Sequence, residues 1–476
     1  MLPHPRVQQY DCMTGDSRRI SEYVYVRSWI YAIFQSFPYT RCCMSRLTER
    51  FGVACALWWP ASDAANTSPV AAKPKKIEKD VQATLDALAD PTKVVVAEIA
   101  PAYYVAIAEM FGMEPGTISR TKLVAALKQI GFHSVFDLRF TADLTIMEEA
   151  TELMERVEKG GPFPMITSCC PAWIKTLESK YPELIPHVSS CKSPMSMSSA
   201  IIKTHWAKQM DIDPEDVVVV GLMPCSVKKQ EATRARLDVT GTGPDTDLVV
   251  TTKESLNLFE ERGLAAADWD TVDDTGDKGE FDPLGGGSGA GQIFGKTGGV
   301  MEAALRTAAC WLDAGPLPEA AVAALRSTDP VRKATVSLPG LDVNVGVFCG
   351  AKAMNKLCKE IAAGEHRDMH FIEIMNCEGG CMNGPGQPRV SKEELTARLD
   401  NIMFRDERAT LRLSHENKHV KQLYTDFLEG EPGSHIAHSL LHTHYGEGPK
   451  PRVHDDVECP PTTVPVVEPP EQQVSR

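Results

Sequence analysis

Short runs of aliphatic residues recur along the chain and predict buried strands. The runs at Val94–Ile99 and Val217–Leu222 are almost unbroken, and more mixed runs follow at Asp247–Thr251, Val343–Phe348 and His370–Met375. A strand that is covered on both faces has a continuous apolar sequence, because neither face meets water. We therefore predict buried strands at these five places.

Segments with helical spacing lie among these runs. Apolar residues recur at helical intervals in Thr121–Ile130, and Asp143–Lys159 predicts an amphipathic helix rich in Glu. Strands that alternate with helices indicate an α/β fold, in which chemistry is expected at strand ends and loops. We expect one domain over residues 76–390, with a lobe boundary near residues 252–291, which include a polar, Gly-rich stretch.

The two ends of the chain differ in composition from the part between them. Residues 1–72 contain no Lys, seven Arg and five acidic residues. An Arg-bearing, acid-poor leader is typical of an organelle transit peptide, although Trp58-Trp59 also allows a small N-terminal domain. Residues 391–445 are predicted to be helical, and the proline-rich residues 446–476 to be disordered.

Size, charge and hydropathy exclude several classes of function. The chain has 476 residues, of which 43% are apolar, so most of it can bury a core. Its formal net charge of −14 argues against nucleic acid as the main partner. Uninterrupted apolar stretches do not reach the ~18 residues that a membrane span needs, so we expect none.

Three cysteine motifs carry the candidate chemistry. They are Thr167–Trp173 (TSCCPAW), Met223–Glu231 (MPCSVKKQE) and Glu373–Pro388 (EIMNCEGGCMNGPGQP). Each follows a predicted strand or lies in a Gly/Pro loop, where backbone can approach a bulky inorganic group. The 14 cysteines therefore indicate thiolate ligands rather than a disulfide framework. The four cysteines within residues 1–72 lack ferredoxin-type spacing, so we predict no additional cluster domain there.

The thiolates favour a metal cluster, with Cu(I) and zinc as the other soft-metal options. Cys377 and Cys381 are four residues apart with two glycines between them, so both sulfurs can approach one cofactor. Together with one cysteine from each of the other motifs they would make the four ligands of a [4Fe–4S] cube. One of the neighbours Cys169 and Cys170 would then be a free thiol and a candidate acid/base group. Each motif taken singly also fits ordinary buried packing.

The three motifs closely resemble the signature motifs of the [FeFe]-hydrogenases, over roughly residues 90–445. The resemblance implies two α/β lobes, each a sheet flanked by helices, with the H-cluster between them. This cofactor is a [4Fe–4S] cube joined through a cysteine sulfur to a two-iron unit with CO, cyanide and azadithiolate ligands. The lack of an upstream cluster domain resembles the short green-algal type, which implies the chloroplast stroma.

The resemblance also assigns residues by motif position. The implied ligands of the cube are Cys170, Cys225, Cys377 and Cys381. Cys381 would bridge to the two-iron unit, Cys169 would be the proton-passing thiol, and Lys228 would donate hydrogen bonds to a cyanide ligand. The implied lining of the pocket is Pro101, Met223, Met375, Pro194 and Phe294.

A proton relay is implied as well. In order from the pocket to the surface it consists of Cys169, Glu149, Ser189, Glu152 and Arg156. Three of these residues lie at i, i+3 and i+7, on one face of the predicted helix. The spacing alone favours a solvated charged face, because Glu148 and Glu155 belong to the same run, and it is the motif match that favours the relay.

The sequence departs from the family pattern at several positions that are neither ligands nor relay groups. Ala172 and Pro385 stand where the family has Gly, Met195 replaces Gln, and Tyr103 and Tyr104 replace a Val-Arg pair. The change to Met195 removes a polar contact in the pocket, so we expect it to alter catalytic bias or oxygen tolerance.

Three other features carry no predicted site. Six of the 13 histidines lie in residues 415–444, including His442 and His444, but no Cys or acidic residue is spaced to complete a zinc site. The Gly-rich run 285–291 has no G-x-G-x-x-G register, so we predict a flexible loop there. Cys191 lacks ligand context and is assigned to packing.

The function implied by the resemblance is reversible reduction of protons to hydrogen by a monomer. Its implied partners are a plant-type ferredoxin as electron donor and radical enzymes that mature the cofactor. The stripe Lys352, Lys356 and Lys359 is predicted to dock the ferredoxin. The alternatives are a non-catalytic iron–sulfur assembly factor and a hydrogen sensor. Assembly factors generally lack the free thiol and sensors usually lose it, so Cys169 favours the enzyme.

Overall fold

Two four-stranded sheets organise the chain in a computed structural model, which describes residues 77–272 and 283–446. The predicted transit peptide, and the predicted tail beyond its first residue, lie outside the described residues. The strands are β1 (Val94–Ile99), β2 (Ser134–Asp137), β3 (Met165–Ile166), β4 (Val217–Met223), β5 (Leu248–Thr251), β6 (Val331–Leu338), β7 (Leu341–Cys349) and β8 (Phe371–Met375).

The first sheet is entirely parallel, in the order β2-β1-β4-β5. Its two central strands, β1 and β4, are the most continuous aliphatic runs of the sequence, and Ala97 of β1 pairs with Val220 of β4. Both residues are fully buried, as expected of strands that are covered on both faces. The predictions for β1, β4 and β5 are confirmed to within one residue at each end.

The second sheet has the order β3-β8-β7-β6, with β6 antiparallel and the other pairings parallel. Strand β6 is absent from the sequence prediction because its side chains alternate between buried and exposed, which hides the run of apolar residues. Strand β3 precedes β4 in the chain yet belongs to this second sheet. The predicted lobe boundary lies between β5 and β6. The chain, however, has already crossed from the first sheet to the second at β3, and returned to the first sheet at β4, before that boundary.

Helices flank both sheets, which confirms the predicted α/β class with a sheet in each lobe. The α-helices of the described residues are α1 (Lys79–Ala89), α2 (Pro101–Ala106), α3 (Arg120–Gln129), α4 (Leu138–Lys159), α5 (Pro171–Lys180), α6 (Pro194–Ile201), α7 (Ala207–Gln209), α8 (Lys228–Ala232), α9 (Thr252–Glu261), α10 (Gly289–Ile293), α11 (Gly299–Trp311), α12 (Glu319–Arg326), α13 (Ala351–Ala362), α14 (Lys392–Glu407), α15 (Lys418–Asp426) and α16 (His435–Leu441). A π-helical turn, Ile202–Trp206, joins α6 to α7. None of the described helices combines the length and the apolar character that crossing a membrane requires.

The Gly-rich run 285–291 packs tightly against α4, so the prediction of a flexible loop there is wrong. A side chain on Gly287 or Gly291 would meet the backbone of Arg139 at 2.2 and 2.4 Å, and only glycine allows this approach. The buried Asp143 accepts hydrogen bonds from the amide of Ser288 (2.8 Å) and the Asn417 side chain (2.9 Å). This carboxylate fastens the segment and the C-terminal region to α4.

Candidate metal-cluster site

The three cysteine motifs meet because each begins at the carboxyl end of a parallel strand. Strand β3 leads to Cys169 and Cys170, β4 leads to Cys225, and β8 leads to Cys377 and Cys381. All five cysteines line one cavity with an empty volume of about 940 Å³. The strand ends of both sheets thus face a common space, the usual place for a ligand in an open α/β fold.

The predicted pocket lining also comes together in this cavity. Its wall includes Pro101, Met223, Met375, Pro194 and Phe294, together with the side chain of Lys228. Most of these side chains are apolar and buried. An apolar wall lowers the local dielectric constant and keeps water away from a bound cofactor.

The thiols are spaced for a group larger than one ion. Residues 77–272 and 283–446 contain two groups in which three possible ligand atoms lie within 4.8 Å of one another. Neither group contains any of the four predicted cluster cysteines. Burial raises the pKa of Cys377 to about 12 and also raises the pKa of Cys225, so these thiols would ionise only with a cationic metal beside them. Cys170 is the N-cap residue of α5. The donor set fits a [4Fe–4S] cluster.

Glycines let the third motif fold closely around the cavity. Gly380 has φ +75°, and a side chain there would meet the amide of Thr297 at 2.7 Å. A side chain on Gly384 would meet the carbonyl oxygen of Pro224 at 2.4 Å. The loop therefore holds Cys377 against the motif that carries Cys225 without obstruction from other side chains.

Lys228 is held by a carboxylate that the sequence analysis does not assign to the site. Its Nζ donates to Glu231 Oε2 and to Ser193 Oγ, both at 2.8 Å. Burial lowers the pKa of Lys228, but Glu231 outweighs burial and the pKa lies above its ordinary value. Lys228 thus carries its positive charge at the wall of the cavity. The i, i+3 spacing of Lys228 and Glu231 is the signal that could reveal this pair from sequence.

The inner half of the predicted relay is buried. Burial, and then the nearby charge of Glu149, raise the pKa of Cys169 well above its ordinary value. Glu149 is fully buried, and neither of its oxygens has a hydrogen bond of good geometry. Burial and Glu152 raise its pKa to about 8, although the Ser168 amide and the Ser189 hydroxyl lie close enough to oppose the shift. A neutral carboxyl of this kind can both donate and accept a proton.

The outer half of the relay reaches the surface through hydrogen bonds. Ser189 Oγ donates to Glu152 Oε2 at 2.7 Å, and Arg156 Nη2 donates to Glu152 Oε1 at 2.7 Å. The side chains of Glu152 and Arg156 are 15% and 12% exposed, whereas Glu149 and Ser189 are fully buried. The predicted relay residues therefore extend from the buried Glu149 and Ser189 to the partly exposed Glu152 and Arg156.

The alternative of a solvated charged face is wrong for the inner part of this helix. Glu148 is 1% exposed, and its Oε2 lies 2.9 Å from the amide of Gly433 and 2.9 Å from His442 Nε2. Glu155, in contrast, pairs with Lys159 at the surface. Glu148 is a structural link to the C-terminal region, so only Glu155 remains a suitable control for the relay.

Comparison with known proteins agrees with this geometry. The sequence profile of the iron only hydrogenase large subunit, C-terminal domain, matches residues 93–385, which is more than half of the chain and includes all five cysteines of the three motifs. The chain belongs to the iron-only hydrogenase family. A second profile, that of the iron hydrogenase small subunit, matches residues 392–447.

Individual members of the iron-only hydrogenase family and its relatives are similar over most of the chain. Iron hydrogenase 1 from Clostridium pasteurianum is 39% identical over 384 residues, which cover 79% of this chain and 65% of that protein. The chain thus spans slightly less than two thirds of that relative. A solved structure of a variant of [FeFe]-hydrogenase HydA1 from Chlamydomonas reinhardtii has a TM-score of 0.66 and 40% identity, covering 77% of this chain and 98% of that chain. The cytosolic Fe-S cluster assembly factor narfl from Xenopus tropicalis is 30% identical over 74% of both chains.

The departures from the iron-only hydrogenase pattern fall into two sets. Tyr103 and Tyr104 are buried away from the cavity, where their hydroxyls donate to Ser255 Oγ (2.7 Å) and to Asp137 Oδ1 (3.2 Å). Met195 lies in the wall of the cavity, as do Ala172 and Pro385. Only this second set can influence a bound cofactor directly.

The raised pKa of Glu149 predicts a pH-dependent loss of stability that Glu149→Gln should remove. Between its ordinary pKa of 4.5 and about 8 the carboxyl is protonated in the folded chain and ionised in the unfolded chain. Stability from this group is therefore complete below pH 4.5 and falls as pH rises towards 8. We expect the Tm difference between Glu149→Gln and the natural protein to increase with pH. Thermal unfolding from about pH 5 to pH 9 measures this Tm difference, with Glu155→Gln as the control variant. A Tm difference that does not change with pH would contradict the raised pKa of Glu149.

Proposed function

We propose that the chain reduces protons to hydrogen reversibly at an H-cluster held in the cysteine cavity. One observation carries the proposal: four thiols suited to a [4Fe–4S] cluster share a mostly apolar cavity with a fifth thiol, Cys169, whose pKa is raised in part by the neighbouring Glu149. A redox cofactor and a proton path that meet in one enclosed site are what proton reduction requires.

Each part of the site has a distinct task in this proposal. Cys170, Cys225, Cys377 and Cys381 would hold the cube, with Cys381 bridging to the two-iron unit. When bound, the cofactor supplies the electrons and the metal centre at which hydrogen is made or split. The Cys169 sulfur would give and take the proton, and Glu149 would restore it from the Glu152 side. Lys228 would present its charge to an anionic cyanide ligand, and the apolar wall would exclude water.

The alternative function is that of a non-catalytic iron–sulfur assembly factor, in line with the 30% identity to narfl. A scaffold of that kind has no need for a thiol beyond the cluster ligands or for a buried carboxyl behind it. Here Cys169 lies in the cavity and Glu149 has a pKa of about 8. These two features favour the enzyme over both the assembly factor and a hydrogen sensor.

The proposal is tested by hydrogen production from reduced methyl viologen. The chain is produced with and without the radical maturation enzymes that insert the two-iron unit, and a gas assay measures hydrogen. We expect hydrogen evolution only from the matured protein, and hydrogen oxidation when the dye is oxidised. Absence of both from protein that contains the matured cofactor would contradict the proposed activity.

We also propose that the electron donor is a plant-type ferredoxin that docks on α13. Lys352, Lys356 and Lys359 are all exposed on this helix. The helix begins beside the third motif, since the Gly350 amide donates to the carbonyl oxygen of Met375 at 2.8 Å. An acidic partner on this basic stripe would therefore approach the cube side of the cavity despite the net charge of −14.

Charge reversal by Lys359→Glu should raise the KM for ferredoxin and flatten its dependence on salt, because electrostatic steering acts mainly on association. Turnover with methyl viologen, which needs no docking surface, should stay unchanged. Hydrogen evolution with each donor at several salt concentrations measures this. Lys421→Glu, an exposed lysine on α15, is the matched control. Equal loss with both donors would show that Lys359 is structural and that docking occurs elsewhere.

We propose that residues 1–72 direct the chain to the chloroplast stroma. The support is compositional: seven Arg, no Lys and five acidic residues precede Lys73. Import into isolated chloroplasts, followed by N-terminal sequencing of the imported protein, tests this. Retention of residues 1–72 after import, or failure to import, would contradict it.

A further inference from the structure

A second group of possible metal ligands lies beside the relay, outside the cysteine cavity. It consists of Glu152, Cys191 and His442, whose ligand atoms all lie within 4.8 Å of one another. Cys191 Sγ is 3.9 Å from Glu152 Oε2 and 3.9 Å from His442 Nδ1. Around tetrahedral Zn²⁺ with ordinary bond lengths, a sulfur and an oxygen or nitrogen ligand are about 3.5 Å apart. The three side chains are therefore close to the spacing that one ion requires.

The imidazole of His442 is oriented as a ligand would be. Its Nε2 lies 2.9 Å from Glu148 Oε2, and Glu148 is itself fixed by the Gly433 amide and the Tyr424 hydroxyl. A carboxylate at Nε2 favours the tautomer with its hydrogen there, which leaves the Nδ1 lone pair to accept a hydrogen bond from Ser190 Oγ at 2.8 Å, with Cys191 Sγ at 3.9 Å. A metal ion at Nδ1 would replace this hydrogen bond. A carboxylate behind a histidine is a regular feature of metal sites, because it fixes the ring and strengthens the ligand.

The charges around Cys191 favour a cation. The thiol is fully buried, and burial followed by Glu152, Glu149 and Glu148 raises its pKa well above the ordinary value. The carboxylates of Glu152 and Glu148 would stabilise a dication. Arg156 opposes this, but it pairs with Glu152 Oε1 and leaves Oε2 on the side of Cys191.

We propose that Glu152, Cys191 and His442 form a Zn²⁺ site and that Zn²⁺ bound there interrupts proton transfer. On binding, the S–H bond of Cys191 breaks, a Zn–S bond forms and the proton leaves to solvent. Ligation through Glu152 Oε2 takes the oxygen that now accepts the hydrogen bond from Ser189. The partly exposed Glu152 provides the entry side. Binding is independent of the proposed function, whereas inhibition rests on the proposed relay.

X-ray absorption at the zinc edge tests the binding in the holoprotein, whose cluster cysteines are occupied by iron. With one equivalent of Zn²⁺ we expect one sulfur at about 2.3 Å together with nitrogen or oxygen neighbours. Cys191→Ser should lose the sulfur, and His442→Gln should bind Zn²⁺ at least about tenfold more weakly. Cys310→Ser, at an exposed cysteine, should resemble the natural protein. A spectrum without sulfur, or one unchanged in Cys191→Ser, would overturn the site.

Hydrogen evolution from reduced methyl viologen tests the inhibition. Zn²⁺ should reduce it reversibly in the natural protein and in Cys310→Ser, with recovery on addition of a chelator. Cys191→Ser and His442→Gln should need at least about tenfold more Zn²⁺ for the same inhibition. If Zn²⁺ binds with the sulfur signature but activity is unchanged, the proposed zinc site is correct and the proposed inhibition is wrong. The assignment of Glu152 to the relay would then be wrong as well. If matured protein evolves no hydrogen at all, the proposed function and the inhibition fail together, and the zinc spectrum alone decides the site.

Discussion

Cys169→Ala should retain the cofactor and lose hydrogen evolution by about 100-fold or more, the usual effect of removing a general acid or base. The reason is geometric. Cys169 lines the cavity with the four cluster cysteines, and its pKa responds to Glu149, so it is the group that connects the cavity to the relay. Alanine removes the ionisable atom without removing a proposed ligand. Iron content and activity, measured on the same preparation, separate the two effects.

The matched control is Cys358→Ala. Cys358 is also a fully buried cysteine, but it is a residue of α13 and packs in the apolar core away from the cavity. It should retain both iron and activity. Cys377→Ala should behave in the opposite way to Cys169→Ala, with loss of iron itself. Hydrogen evolution from Cys169→Ala at the natural rate would remove Cys169 from the proton path.

Glu149→Gln should also reduce hydrogen evolution by about 100-fold or more while iron content is unchanged. A carboxyl can receive a proton on one oxygen and release another, whereas an amide cannot. Glu149 is the acidic side chain that connects Cys169 to the Ser189–Glu152 pair in the proposed relay, and neither of its oxygens makes a hydrogen bond of good geometry that the amide would have to retain. The amide also keeps the shape of the side chain, so packing changes little.

Glu155→Gln is the control for this loss because Glu155 lies on the same helix and pairs only with Lys159 at the surface. It should leave activity unchanged. Glu148→Gln is unsuitable, since Glu148 links α4 to His442 and Tyr424 and its loss would destabilise the fold. Equal activity losses in Glu149→Gln and Glu155→Gln would indicate general destabilisation of the helix rather than a proton path.

Local sequence reveals those parts of the fold that have one dominant pattern. Strands β1 and β4 are covered on both faces, so their continuous aliphatic runs identify them. Strand β6 lies at the sheet edge with alternating burial, and β3 has only two residues, so neither produces a distinctive run. The cysteine motifs are predictable because each is a short, distinctive sequence that begins at the end of a strand.

Contacts between distant segments are what the sequence does not reveal. Cys191 and His442 are 251 residues apart and meet through an antiparallel bridge between them. No spacing rule for zinc ligands covers that separation, so His442 appears in the sequence as one of several unassigned histidines. Burial of Glu148 has the same origin, because the C-terminal region covers a helix face that has the composition of a solvated surface.

Infrared spectroscopy of the matured protein tests the central claim most directly, since CO and cyanide ligands have stretches in a region where protein does not absorb. The chain is produced with the radical maturation enzymes and compared with the same chain produced without them. We predict CO and cyanide bands in the matured sample alone. A matured sample that contains the cube but shows neither band, while an established [FeFe]-hydrogenase prepared in parallel shows both, would contradict the assignment of an H-cluster to this cavity.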